Sequence, residues 1–274
     1  MIKASNISYH YAGSKHNVFN DFSFSLDENH IYGLLGKNGT GKSTLLYLIC
    51  GLLRQQHGTI EIDGFNSQKG NPEILEEIFF VPEEFELPAI SLAQYVELYS
   101  KFSPRFDQNV LENCLRDFEL PTSLKLNSLS MGQKKKAYMS FALATQTRYL
   151  FMDEPTNGLD IPSKAQFRRV IARNMTDERT VIISTHQVHD VEQLLDHILI
   201  LDDSSLIVNA STDDITSRYR FELRTPQEMT GDVVYAEPSL QGNACIVSRN
   251  DNEVETQLNL ELFFNAVVEH GLGV

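Results

Sequence analysis

A chain of 274 residues with 42% hydrophobic and 22% charged side chains has enough apolar material for one sizeable α/β core and a small additional piece. Its net charge of -14 argues against a nucleic-acid footprint, which needs clustered Lys and Arg, but still allows a local basic pocket. Cys50, Cys114 and Cys245 match no metal or redox spacing and read as buried thiols of a reducing compartment; with no secretory signal and no bilayer-length apolar run in view, the expectation is a cytoplasmic chain whose membrane role, if any, comes through a partner.

Residues 1 to 26 read as two strands in a hairpin-like arrangement, the first carrying Ile2, Ile7 and Tyr9, the second alternating through Val18, Phe22, Phe24 and Leu26. The turn between them carries Tyr11, which is either a base-stacking aromatic or a plain strand-end tyrosine. Next comes the apolar run Ile31-Tyr32-Gly33-Leu34-Leu35, then Gly36-Lys37-Asn38-Gly39-Thr40-Gly41-Lys42-Ser43-Thr44, then the apolar run from Leu45 to Ile49. A buried strand, a glycine-rich turn and a helix are the context that gives G-x-x-x-x-G-K-[ST] its meaning. Amides from Asn38 to Ser43 would point at an anion, and the helix N-terminus adds a favourable dipole. Lys42 is placed to reach the β- and γ-phosphates and Ser43 to ligate Mg²⁺. The chain is therefore expected to bind a nucleoside triphosphate.

The helix opened at Ser43 is expected to run to about Leu53, followed by a short strand from Thr59 to Asp63 and a turn at Gly64. Phe79-Phe80-Val81 forms a brief strand stopped by Pro82, with Glu83 and Glu84 directly after it. From Ser91 to about Phe118 the apolar period changes from 2 to 3.6, which predicts a helical insertion. Ser130 is a natural N-cap for the helix that Leu129-Ser130-Met131-Gly132-Gln133 opens, and that N-terminus is a second candidate phosphate contact. Lys134 to Lys136 read as a solvated face.

Tyr149-Leu150-Phe151-Met152 is a buried strand with Asp153 and Glu154 at its carboxyl end, where ligands bind in open α/β sheets. Asp153 suits Mg²⁺ held through water, and Glu154 suits a general base for an attacking water. Thr156 to Asp160 form a turn before a helix to about Met175; Thr180 to Ser184 form another buried strand, and His186 follows its end, where a ring N–H could bond a γ-phosphate. Two strands around Asp203-Ser204 close the sheet. From about Arg218 the pattern alters: Phe221/Leu223, Val233/Tyr235 and Val254/Thr256/Leu258 suggest short strands, and a last helix starts at Asn259 and stops at Gly271.

Phosphate loop, LSMGQ, FMDEP, TNGLD and STH, in this order and spacing, resemble the ATP-binding subunit of an ABC transporter over roughly residues 1 to 215. The resemblance implies a P-loop NTPase cassette of α/β class: a RecA-like core sheet, an antiparallel β region and a helical subdomain. The cassette would span residues 1–217, with the helical subdomain at about 83–145, and residues 218–274 would be a small C-terminal α+β appendage. It further implies an ATPase that dimerises head to tail around two ATP and powers a separately encoded membrane permease from the inner face of the cell membrane. In that family Tyr11 is the adenine-stacking aromatic, His186 the γ-phosphate switch and Asp160 the aspartate of the dimer loop, while Ser130 to Gln133 contact the partner's ATP.

Two positions depart from the family pattern. Glu83 stands where glutamine is usual beside Mg²⁺, and Met131 stands where glycine is common in the signature. The competing reading, a soluble non-transport ABC ATPase of translation or DNA-repair type, lacks its usual marks: there is one cassette rather than two and no long coiled coil. A cassette that binds ATP without turnover is a third reading, raised by Glu83. By analogy alone, a single cassette with no extracytoplasmic partner leans toward export.

Overall fold

Period-2 alternation in the first residues gives an antiparallel pair, β1 (Ile2–Tyr9) and β2 (Phe19–Leu26), in a computed structural model that describes residues 1–14, 16–250 and 253–274. Phe19, fully buried, starts β2 one residue after the expected Val18. With β4 (His57–Ile62) and β5 (Phe65–Asn66) they form a four-stranded antiparallel sheet in the order β2-β1-β4-β5.

The second sheet has six strands in the order β10-β9-β3-β8-β7-β6: β10 (Ser205–Ser211), β9 (His197–Asp202), β3 (Ile31–Leu35), β8 (Thr180–Thr185), β7 (Tyr149–Asp153) and β6 (Ile78–Val81). All neighbours are parallel except β10, which returns antiparallel on β9 through the Asp203-Ser204 turn. Both faces of this sheet are covered, so its central strands are apolar throughout, as parallel strands must be. Ile31 and Leu35, Val181 and Ile183, and Ile198 and Ile200 enter one core; Tyr32 and Leu34, Ile182, and Leu199 and Leu201 enter the other. The second core joins the two sheets and contains Leu45, Leu46, Leu48 and Ile49 of α1 (Lys42–Ile49).

The helix α1 stops short of the expected Leu53. Gly51 takes φ +71, and the Leu52 and Leu53 amides donate back to the Tyr47 carbonyl at 2.9 and 3.2 Å, which closes the helix end. After the one-turn α2 (Pro72–Leu75), the helical insertion is two helices, α3 (Leu92–Tyr99) and α4 (Gln108–Asp117), packed with α5 (Met131–Ala144) around Leu111, Cys114, Leu115, Phe118 and Phe141. α6 (Ile161–Arg173) follows β7, and α7 (Thr212–Arg218) follows β10.

The appendage corrects one expected strand. Its sheet is β11 (Tyr219–Arg224), β12 (Val233–Ser239) and β13 (Gly242–Ser248) in the order β11-β13-β12, and residues 254 to 258 are not a strand. The central strand hides Cys245, Ile246 and Val247 in succession, so no alternation marks it, while Thr256 runs beside β11 and only accepts the Phe221 N–H on its Oγ1 at 2.7 Å. The last helix, α8 (Leu260–His270), is capped by the Asn259 side chain on the Leu262 N–H and ends at Gly271, φ +66. Its Phe263, Ala266 and Val267 join the same apolar core as the helical insertion. Cys50, Cys114 and Cys245 are unpaired and buried, and burial raises each thiol above its ordinary range, so none is a reactive thiolate.

Candidate functional site

Four adjacent parallel strands deliver the expected chemistry to one edge. The phosphate loop leaves the carboxyl end of β3, His186 follows β8, Asp153 ends β7 with Glu154 directly after it, and Glu83 lies two residues past β6. A cleft of about 360 Å³ is lined by Tyr11, Asn38, Lys42, Ser43, Glu83 and Glu154, with Gly39, Gly41, Thr44 and Val18 completing its wall.

The loop's glycines answer two constraints. A Cβ at Gly36 would lie 2.6 Å from the Leu201 carbonyl oxygen, and Gly41 caps α1 at φ +101, where a side chain would also meet Val18 at 2.8 Å. The Thr40 hydroxyl donates to the Lys37 carbonyl at 2.9 Å. Lys42 is buried, and its Nζ donates to the carbonyls of Gly36 at 2.8 Å and Lys37 at 3.2 Å. Burial lowers the pKa of this ammonium, while the carboxylates of Glu154, Asp153 and Glu83 work against that shift.

Glu154 is a buried carboxylate on a strained backbone: its φ of +45 is left-handed for a residue that is neither Gly nor Asn. Its N–H is held by the Ser184 carbonyl at 3.0 Å, Thr185 Oγ1 donates to Oε2 at 3.0 Å, and His186 Nδ1 sits 2.8 Å from Oε1. Asp153 is buried beside it and accepts from the Ser184 hydroxyl. Glu83 Oε1 accepts from Asn157 Nδ2 at 2.7 Å, tying the strand end after β6 to the turn after β7. The Tyr11 hydroxyl shares a hydrogen bond with Thr44 Oγ1 at 2.8 Å; its half-exposed ring stands edge-on to Tyr9.

The signature residues are organised but stand apart. Ser130 and Gln133 form a capping box at the start of α5, Met131 is exposed, and a Cβ on Gly132 would rest 3.7 Å from Leu159. Among the described residues, none of Ser130, Met131, Gly132 and Gln133 lines the cleft or bonds to the phosphate loop. Asp160 caps α6 through the Ser163 N–H at 2.9 Å, and those hydrogen bonds hold its carboxyl below the ordinary range.

Two features escaped the sequence reading. Lys135 is not on a solvated face: it is buried, and its Nζ donates to the carbonyls of Glu154 at 3.3 Å and Asn157 at 2.8 Å. The charged run that suggested a solvated face hid one position turned inward. Second, the appendage reaches the site. A neighbouring cleft of about 450 Å³ lies between Lys37, Asn38 and His186 on one side and Glu261, Phe264 and Asn265 of α8 on the other. The Leu260 N–H donates to Glu192 Oε1 at 2.8 Å, fastening α8 to the segment after His186. Nothing in the local pattern of either segment announces this contact.

The family model described as ABC transporter matches residues 19–157. The bacitracin transport ATP-binding protein BcrA of Bacillus licheniformis is 31% identical over 225 residues, 80% of this chain and 72% of its own length. The ABC transporter ATP-binding protein YtrB of Bacillus subtilis (strain 168) is 28% identical over 204 residues, 74% of this chain and 70% of its own. Among solved structures, an ATP-binding subunit of an ABC transporter superposes with a TM-score of 0.69 at 25% identity, covering 78% of this chain and 91% of that one. The cassette MJ0796, in a post-hydrolysis dimer with ADP and Pi, shares the fold with a TM-score of 0.67 at 24% identity, covering 77% of this chain and 98% of that one.

Proposed function

This chain belongs to the ABC transporter family, and on that premise we propose that it is one half of an ATP-driven clamp that works on a membrane permease from the cytoplasmic side. The observation that carries this reading is the cleft itself, in which Lys42 and Ser43 at the start of α1 face the carboxylates of Glu154 and Glu83. The phosphates lie on the amides of residues 38 to 43, with Lys42 turning from the loop carbonyls to the β- and γ-phosphate oxygens. The exposed ring of Tyr11 offers a face to adenine.

Ser43, Asp153 and Glu83 form an all-oxygen donor set suited to Mg²⁺, which when bound neutralises phosphate charge. Glu154, oriented by Thr185 and His186, takes the proton of a water attacking the γ-phosphorus in line, and His186 also senses the γ-phosphate. Most of the acceleration then comes from positioning and electrostatics.

The outward-facing signature, with Ser130, exposed Met131, Gly132 and Gln133 away from the phosphate loop of their own chain, supports completion of the site by a second copy. The dimer of MJ0796 supports the same arrangement, and Asp160 stands in the loop that meets the partner. A permease partner fits a chain in which, among the described residues, no helix is long and apolar enough to cross a membrane. Residues 1–217 act as the cassette, with 83–145 as its helical subdomain, and 218–274 as an appendage fastened to the segment after His186.

The test is ATP hydrolysis by the purified chain, with membrane co-sedimentation from its native host. Turnover that requires Mg²⁺, with recovery alongside an integral membrane protein, is expected. Turnover by a chain that never co-sediments with an integral membrane protein would favour a soluble ATPase.

A further inference from the structure

At the opposite edge of the six-stranded sheet, His30 meets the consecutive residues Asp196 and His197 from a distant part of the sequence. His30 immediately precedes β3, Asp196 immediately precedes β9, and His197 is the first residue of β9. The parallel pairing of β3 with β9, which sets Tyr32 beside His197, brings the two imidazoles together with ring centroids 4.4 Å apart. His30 Nδ1 lies 3.3 Å and His197 Nδ1 3.6 Å from the same oxygen, Asp196 Oδ1. One ligand atom from each of the three residues fits within a 4.8 Å span.

We propose that His30, Asp196 and His197 bind a divalent transition ion of the imidazole-preferring class, such as Zn²⁺ or Co²⁺. Imidazole and carboxylate bind such an ion at about 2.0–2.2 Å, so a tetrahedral site separates neighbouring donors by roughly 3.3 Å. The two separations from Asp196 Oδ1, 3.3 and 3.6 Å, lie close to that edge length. The Nδ1 of His197 is buried and has no hydrogen-bond partner among the described residues, an arrangement that costs free energy unless something accepts its lone pair or its proton.

The support for the three ligands is already in place. Asp196 Oδ1 accepts the Ile31 N–H at 3.0 Å, which fixes the carboxylate. The His30 carbonyl accepts from the Val181 N–H at 2.9 Å, and the Asp196 carbonyl from the Thr212 N–H at 2.9 Å. The side chains of Asp196 and His30 remain 47% and 35% exposed, which leaves an entry path and room for a water as fourth ligand. The carboxylate and two imidazoles give the mixed N and O set that suits Zn²⁺ and Co²⁺ better than Mg²⁺. The ion would clip the turn before β3 to the start of β9, away from the phosphate loop at the other end of β3.

The probe is Co²⁺ added to the untagged full-length chain without nucleotide, followed in the visible spectrum, with Zn²⁺ as competitor. The expected result is a tetrahedral-type visible band that saturates near one Co²⁺ per chain, is displaced by Zn²⁺, and is lost in His30→Gln, in His197→Gln and in the double variant. Zn²⁺ should also raise the melting temperature of the wild type and not that of the double variant. Absence of the band in the wild type, or the same band in the folded double variant, overturns the proposal. His30→Gln alone carries the comparison if His197→Gln does not fold, because His30 is the more exposed of the two.

Discussion

His186 Nδ1 lies 2.8 Å from Glu154 Oε1, and Thr185 Oγ1 donates to the other oxygen of the same carboxylate at 3.0 Å. The carboxylate is thus held from the end of β8 while its backbone directly follows β7, so its orientation depends on two strands remaining in register. Glu154→Gln keeps the shape and removes the proposed base. Hydrolysis should fall by about 10²–10⁴-fold, the range of a positioned general base, while ATP still binds. A phosphate-release assay and size-exclusion chromatography with ATP check this, with an ATP-retaining dimer expected. Hydrolysis at the wild-type rate would remove Glu154 from the base role.

Lys42→Ala should weaken ATP binding by roughly tenfold to a hundredfold, the value of about 1.5–3 kcal/mol for a charge-assisted contact. The variant also leaves the Gly36 and Lys37 carbonyls without their Nζ donor, which loosens the loop. Titration with a fluorescent ATP analogue reads the affinity directly. Unchanged affinity would mean that the ammonium stays on the loop carbonyls when nucleotide binds.

Glu83→Gln separates a charge effect from a structural one, because a glutamine oxygen can still accept from Asn157 Nδ2 as Glu83 Oε1 does at 2.7 Å. Removing this negative charge should raise the Mg²⁺ concentration needed for half-maximal turnover and change the turnover rate. Steady-state ATPase measured across a Mg²⁺ series decides it. If neither quantity moves, Glu83 serves only to hold Asn157.

Much of this site was legible because its determinants are local. Residues 31 to 49 carry strand, turn and helix in one stretch, and Asp153, Glu154 and His186 lie at the ends of apolar runs whose parallel pairing gathers them. What the sequence hid depends on contacts between distant segments. Lys135 sits in a run of three lysines and turns inward only because α5 packs beside the turn after β7. β13 buries three successive residues as the central strand of its sheet, so it lacks the alternation that marks a half-buried strand. The meeting of His30 with His197, and of α8 with Glu192, is created entirely by topology.

Lys135→Ala tests whether that buried ammonium supports the site. The Asn157 carbonyl would lose its Nζ donor, at a cost of about 1–3 kcal/mol for an unpaired acceptor, and the Glu154 carbonyl would keep only the Asn157 N–H at 3.1 Å. A lower melting temperature with a disproportionate loss of ATPase activity is expected, since both carbonyls belong to the turn that carries Glu154, the proposed general base. Lys136→Ala is the control: its Nζ donates to Gln166 Oε1 at 2.8 Å, away from Glu154. Equal effects of the two substitutions on activity would deny Lys135 a positioning role.

Phe263→Ala tests the junction between α8 and the segment that follows His186. Phe263 is fully buried in α8, in the same apolar core as Val191, which follows His186 by five residues. Truncating a buried phenylalanine costs about 3–5 kcal/mol, so the melting temperature should fall by several degrees, whereas Phe102→Ala at a 73% exposed position should change it little. Because the Leu260 N–H holds Glu192, loosening α8 frees the segment that carries His186, and turnover should drop even at temperatures where the chain stays folded. Thermal melts paired with ATPase assays at low temperature distinguish the outcomes. A destabilised variant with full activity would make α8 a cover for the core with no hold on His186.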